Sequence, residues 1–208
     1  MDVHFTLGAD GYSTRVELKP GPYDGTPPVD ALTFRMRLRI LDPSISAVAT
    51  AIVAQNLAAE SLNYPLPVQS HVADAIERFF SSRRFRVQPA EQVPAAIPAG
   101  NRRALLGHGS PVGDGSVGFT LGDASAFTSF ASTSCVHVAS NVACFFADDE
   151  RGHAIATLAA ATFVAADYGF GSICISSQCA SVLGATDLER YRALLDSVNL
   201  KIRVENPA

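Results

Sequence analysis

The chain has 208 residues, of which 48% are hydrophobic and 17% are charged, and its formal net charge is −4. This composition is typical of a folded protein with a substantial core and excludes a disordered chain. The negative charge argues against general nucleic-acid binding, which usually needs a basic surface. The first residues lack the pattern of a signal peptide, and the longest run without formal charges, 124–147, is too rich in Ser and Thr to cross a bilayer. We therefore expect a cytoplasmic protein without a membrane segment.

Residues 1–94 are predicted to form a small α+β domain. Alternating apolar residues with a turn between them indicate two antiparallel strands, and apolar residues at helical spacing indicate two helices. These elements are predicted over 3–7, 14–18, 43–61 and 69–82. Three prolines lie within 88–101, so we place a linker there and a domain boundary near residue 95.

Residues 32–40 also alternate, with apolar side chains on the even positions and Arg35, Arg37 and Arg39 on the odd ones. A strand with this pattern would carry all three guanidinium groups on one face. Two interpretations fit the pattern: a solvated sheet face and an anion-binding stripe.

Residues 95–208 are predicted to form an α/β domain with a parallel β-α-β-α-β sheet. Its strands are short and almost continuously apolar, as in parallel sheets that are covered on both faces. The predicted strands are 117–121, 136–139 and 172–176, the helices between them are 124–131 and 153–167, and a further helix from 186 and a strand over 200–204 follow.

The segment 119–125, FTLGDAS, lies where the first of these strands gives way to the predicted helix. Backbone N–H groups at the start of a helix attract anions, and glycine allows a phosphate to approach the backbone closely. A plain structural turn explains the same residues, because strand–Gly–helix joints are common.

This segment and the order of elements resemble the PP-loop ATP-pyrophosphatases, an adenine nucleotide alpha-hydrolase-like (HUP) superfamily, and especially the cyano-deazaguanine synthases. The family fingerprint is a strand, then S-G-G-x-D-S, then a helix. Leu121 stands where the first Gly belongs and Asp123 falls one position early, so the chain resembles a member with a degenerate PP-loop.

The resemblance implies a HUP-like domain that binds ATP with Mg²⁺, in a biosynthetic adenylating ligase or amidating enzyme or its degenerate relative. Its substrate would be a small molecule. The nucleotide-binding residues that it implies are Thr120, Gly122, Asp123, Ser125, Ser176 and Ser177. It assigns no catalytic residue and no metal held by the protein itself.

Two other functions remain open. The chain is either a non-catalytic partner that kept the fold for interaction with a protein, including a second copy of itself, or an ADP-ribosyltransferase-like enzyme. The second alternative rests on Ser132-Thr133-Ser134, which resembles the S-T-S strand of that family. Arg103 would supply its arginine, and Asp187-Leu188-Glu189 would stand for its E-x-E motif.

An acidic segment precedes the predicted helix 153–167. Asp148, Asp149 and Glu150 have the chemistry of a divalent-cation site with His153 beside it, and a solvated turn explains the same residues. The four cysteines form no C-x-x-C pair, so we expect buried free thiols rather than a zinc site.

Overall fold

The computed structural model describes residues 1–81, 84–92, 100–107, 115–123, 125 and 129–205. The strands are β1 Asp2–Leu7, β2 Thr14–Lys19, β3 Leu32–Phe34, β4 Ser61–Gln69, β5 Arg86–Glu91, β6 Arg102–Leu106, β7 Ser116–Gly122, β8 Phe130–Ala131, β9 Cys135–Ala139, β10 Phe170–Ser176 and β11 Lys201–Glu205. The helices are α1 Pro43–Ala54, α2 Ser70–Phe79, α3 Glu150–Phe163, α4 Ala165–Tyr168, α5 Ser177–Leu183 and α6 Ala185–Asp196, with a 3-10 helix over Val142–Phe145.

These strands form two sheets, and the chain is an α/β protein. Sheet A has the order β3-β2-β1-β4-β5, with antiparallel pairs at β3-β2 and β2-β1 and parallel pairs elsewhere. Sheet B has the order β11-β10-β6-β7-β9-β8, and all of its pairs are parallel except β8-β9. The described helices of the second half connect strands of sheet B, as parallel pairing requires.

The core lies between the two sheets. Helices α1 and α2 pack on sheet A, α3, α5 and α6 pack on sheet B, and α1 packs against α3 across the middle. Helix α1 is buried on all sides, with 11 of its 12 residues buried. One continuous hydrophobic cluster joins side chains of both sheets, including Phe34 and Leu62 of sheet A and Phe119 and Ile173 of sheet B. Burial of this size is the main stabilising contribution to such a fold.

The predicted strand over 32–40 ends early, at Phe34. Beyond that residue the backbone leaves sheet A: the N–H of Arg35 donates to Ala139 O (2.9 Å), and Phe34 forms an isolated bridge with Ser140. The side chain of Asn141 accepts a hydrogen bond from Thr33 N (2.7 Å), which strengthens the same connection. Because these groups pair with the end of β9, they cannot continue the ladder with β2, and the segment links the two sheets.

The predicted helix over 124–131 is wrong in its described part. Phe130 and Ala131 form β8, which pairs antiparallel with His137 and Val136. At the start of the segment, the Asp123 carboxylate accepts a hydrogen bond from Ser125 N (2.6 Å). Such an Asx turn gives the backbone an alternative to helical hydrogen bonding. Residues 124 and 126–128 lie outside the described part.

Two further sequence predictions meet the structure in different ways. The first predicted helix ends at Ala54 rather than 61, because the residues from Ser61 pair with β5 as β4. The domain boundary near residue 95 lies outside the described residues and stays a prediction. Sheet A lies before that position and sheet B after it.

Among the described residues, none of the helices has the length and apolar character needed to cross a bilayer.

Candidate functional site

A cleft of about 640 Å³ opens at one edge of sheet B, where parallel strands end. Strands β6, β7 and β10 run in the same direction, so their carboxyl ends meet at this edge. Open parallel sheets bind ligands at such an edge, and the volume suits a small organic ligand. We call it the rim cleft; its lining residues are Leu106, Gly107, Thr120, Leu121, Asp148, Asp149, Glu150, His153, Ala154, Thr157, Ser176, Gln178, Cys179 and Val182.

The strand ends supply small, apolar and hydroxyl groups to the rim cleft. Gly107 follows β6 with a φ of 78°, in the left-handed region that glycine adopts without strain. Thr120 and Leu121 come from the end of β7, and Ser176 closes β10. The cleft can therefore surround a partly apolar ligand and offer hydroxyl groups to its polar atoms.

The opposite wall is acidic and comes from the start of α3. Asp148, Asp149 and Glu150 are all exposed at this wall, and His153 lies one turn further along the helix. Asp149 is the N-cap of α3, and its Oδ1 accepts a hydrogen bond from Gly152 N (2.6 Å). A carboxylate already stabilises this helix end, so the wall attracts cations rather than bare anions.

No metal centre is preformed at this wall. Within the described ranges, no three His, Cys, Asp or Glu side chains come together in an arrangement that could hold a metal ion. The carboxylates nevertheless suit Mg²⁺, which commonly binds one or two protein carboxylates together with the phosphates of a substrate.

Thr120 also belongs to a half-buried side-chain cluster that joins β7 to β9. Its Oγ1 lies 2.8 Å from Nδ1 of His137 on the neighbouring strand β9. The Phe130 ring stacks on the imidazole, with centroids 5.2 Å apart and planes inclined by 20°. A Cβ added at Gly122 would lie 2.6 Å from Cε1 and Nε2 of this ring. Glycine at 122 therefore makes room for the imidazole.

Ser176 has a structural role besides lining the cleft. It is the N-cap of α5, and its Oγ accepts a hydrogen bond from Cys179 N (3.1 Å). Burial raises the pKa of the Cys179 thiol, so this sulfur is protonated at neutral pH and is a weak nucleophile. The groups described in the rim cleft are better suited to binding than to covalent catalysis through Cys179.

The structure brings only some of the six sequence-predicted nucleotide residues together. Thr120 and Ser176 line the rim cleft, from β7 and β10. Gly122, Asp123, Ser125 and Ser177 are not among its lining residues. Gly122 contacts His137, and the Asp123 carboxylate accepts the hydrogen bond from Ser125 N, which lowers the pKa of Asp123.

Several residues that line the rim cleft lie on elements that sequence patterns did not predict. Strand β6 shows only three apolar residues between Arg103 and Gly107, too few to mark the central strand of a sheet. Gln178 and Cys179 lie on α5, a seven-residue helix without a clear periodic pattern. The acidic segment and His153 were identified from the sequence as possible cation ligands. Their proximity to the end of β7 depends on the tertiary fold and could not be predicted.

The motif behind the transferase alternative is not a strand. Ser132, Thr133 and Ser134 form the turn between β8 and β9, where Ser132 Oγ accepts a hydrogen bond from Cys135 N (2.9 Å). On α6, Asp187 forms ion pairs with Arg151 and Arg190. Helix α6 begins after Gly184, without a side-chain cap. These placements give ADP-ribosyl transfer no geometric support.

Comparisons with protein-family models, with curated proteins and with solved structures found no match to this chain. The fold and the cleft therefore define the class: an α/β protein with a ligand-sized cleft at the carboxyl edge of a largely parallel sheet.

Proposed function

We propose that the protein binds an adenine nucleotide, as its Mg²⁺ complex, in the rim cleft. The observation that carries this proposal is the ligand-sized cleft at the carboxyl ends of β6, β7 and β10. Nucleotides bind at this edge in open α/β sheets. The HUP-like character and the cytoplasmic location expected from the sequence belong to the same proposal.

The chemistry of the two walls explains why the magnesium complex is the expected ligand. The apolar side chains of Leu106, Leu121 and Val182 suit a planar base, and the hydroxyls of Thr120 and Ser176 suit ribose or phosphate oxygens. The exposed carboxylates at the start of α3 would repel a free triphosphate. These carboxylates would hold Mg²⁺ together with the phosphates, and its positive charge would offset that repulsion.

The proposal concerns binding. The reaction that would follow is that of an adenylating ligase or an amidating enzyme, and a degenerate relative would bind the nucleotide without any reaction. In either enzyme, a carboxylate or amide oxygen of the substrate would have to reach the α-phosphate of the nucleotide and displace pyrophosphate, which would activate the substrate carbon. The alternative function is that of a non-catalytic interaction partner, and the absence of nucleotide binding would favour it.

Isothermal titration calorimetry with ATP tests the proposal. We expect saturable heat with ATP and Mg²⁺ and none with ATP and EDTA. Ala154→Trp would place an indole ring in the cleft, obstruct the ligand and abolish the heat, whereas Ala185→Trp, a matched change at an exposed position on α6, would leave it unchanged. Thermal unfolding of both variants shows whether they are folded.

Two outcomes would overturn the proposal. One is no heat with ATP, ADP or AMP in the presence of Mg²⁺. The other is binding that Ala154→Trp leaves intact in a folded protein.

Asp148→Asn, which removes one carboxylate from the wall without touching the helix cap, should weaken binding of the magnesium complex and reduce its dependence on Mg²⁺.

A further inference from the structure

A second groove, of about 830 Å³, lies away from the rim cleft, where the β1-β2 turn, the segment after β3 and helix α4 meet. Its lining includes Tyr12, Arg37, Arg39, Asp167 and Tyr168, and none of these residues lines the rim cleft. We call it the arginine groove. It contains two of the three arginines that alternate along residues 35–39.

The arginine-bearing segment is fixed although it is not a strand. The side chain of Leu38 is only 9% exposed and joins the core, and Leu38 N donates to Thr14 Oγ1 (3.0 Å). The Asp167 carboxylate accepts hydrogen bonds from Arg39 N (2.9 Å) and Ile40 N (2.6 Å). These contacts hold the backbone on both sides of Leu38, so Arg37 and Arg39 project from an ordered support.

The two guanidinium groups are available to a ligand. Both arginines are exposed, and neither side chain forms a hydrogen bond or ion pair with another described residue. Asp167, the acidic residue in the described lining, already accepts backbone N–H groups with both carboxylate oxygens. The groove therefore carries two unpaired cations against one carboxylate that is already hydrogen-bonded.

Aromatic and hydroxyl groups complete the lining. Tyr12 is 80% exposed at the turn, which leaves its ring free to stack on a planar group. Tyr168 is half-buried and stacks on Phe170 with centroids 5.8 Å apart. Burial raises the pKa of Tyr168, so its hydroxyl is a neutral hydrogen-bond donor at physiological pH.

We propose that the arginine groove binds an aromatic phosphomonoester, with the phosphate held by Arg37 and Arg39 and the ring stacked on Tyr12. Guanidinium groups form paired hydrogen bonds with phosphate oxygens, which makes Arg better suited than Lys to this role. Asp167, the one carboxylate in the described part of the lining, does not compete for the arginines, because backbone N–H groups already satisfy it. This site is independent of nucleotide binding in the rim cleft.

Fluorescence titration of a Tyr12→Trp variant with phenyl phosphate tests the inference. The natural chain has no Trp, so this residue is the sole indole reporter, and it keeps a stacking ring in place. We expect saturable quenching with phenyl phosphate, at least about tenfold weaker binding of inorganic phosphate, and weakening by high salt. Arg37→Ala together with Arg39→Ala should abolish binding, and the paired Lys replacements should weaken it.

A charge-matched control distinguishes a built site from general attraction. Arg78 and Arg203 are exposed and lie outside the groove, so their joint replacement by Ala should leave the titration unchanged. Equal losses in both double variants, equal binding of phenyl phosphate and inorganic phosphate, or no saturation would each overturn the inference. Phenyl phosphate has no adenine, so these results do not depend on the ATP titration.

Discussion

Gly122 shows how one residue can carry a different role from the one its sequence context predicts. Its place in the sequence, between a strand and a predicted helix, led to the expectation that it binds phosphate. In the structure the missing Cβ leaves space for the His137 ring, which lies 2.8 Å from Thr120 Oγ1 and stacks on Phe130. The glycine was identifiable from sequence, but its neighbour on the adjacent strand was not.

Replacing Gly122 by Ala should therefore displace the imidazole and destabilise the protein. We expect a loss of about 1–3 kcal/mol in the free energy of unfolding, the usual range for overpacking. Thr120→Val should lose the hydrogen bond, and Thr120→Ser should keep it. Urea unfolding of the three variants measures this, and a Gly122→Ala protein as stable as the parent would contradict the packing role.

The four cysteines should differ strongly in reactivity. Cys144 is exposed, whereas burial, together with a hydrogen bond and the charge of Glu205, raises the pKa of Cys174 to about 12. A raised pKa leaves the thiol protonated, and the thiolate is the reactive form. Iodoacetamide labelling at pH 8, followed by mass spectrometry, should modify Cys144 first and Cys174 only after unfolding. Early modification of Cys174 in the folded protein would refute this order.

At the scale of elements, the start of α1 depends on one carboxylate. Asp42 Oδ1 accepts hydrogen bonds from Ser44 N and Ile45 N, both 2.9 Å long, and Pro43 occupies the first helical position. Asp followed by Pro is a strong start signal for a helix, so this end of α1 is recognisable from the sequence. The same signal says nothing about where the helix ends.

Asp42→Ala should lower the free energy of unfolding by about 1–2 kcal/mol, because two N–H groups at the start of a buried helix lose their acceptor. Asp42→Asn keeps a side-chain oxygen and should cost less. Chemical denaturation of the two variants provides the comparison. An equal cost for both would show that charge, rather than the hydrogen bonds, stabilises this end.

Strand β4 illustrates which elements sequence patterns miss. Pro65 and Pro67 lie within it, and prolines usually exclude a central strand because they lack the N–H group. The structure accommodates them in an irregularity: β4 pairs with β5 at 61–63 and again at 68–69, with a register shift between. Local patterns predicted β1, β2, β7, β9, β10 and β11 close to their observed ranges. They missed β4 and β6, which are fixed by neighbours distant in sequence.

At the scale of the whole molecule, the two sheets depend on a shared centre. Helix α1 belongs to the first half of the chain and is covered by α3 of the second half. One hydrophobic cluster includes residues from both halves. Composition and local periodicity indicate a core of this size but do not identify which helix covers which.

A fragment of residues 1–94 should therefore fail to fold alone, because it would expose the face of α1 that α3 covers. We expect poor chemical-shift dispersion in its NMR spectrum, whereas the full chain should unfold in one calorimetric transition. A well-dispersed spectrum of the fragment, or two separate transitions of the full chain, would show that the halves are independent.

The position of β11 has a consequence for solubility. Among the described residues it pairs only with β10, so its other side is a free edge of sheet B. Unprotected edges recruit strands from other molecules and begin aggregation. Lys201 and Arg203 are exposed on this strand. A strand from another molecule that paired with β11 would lie beside these charged side chains. The charged side chains on β11 are therefore expected to disfavour pairing of this edge with another chain.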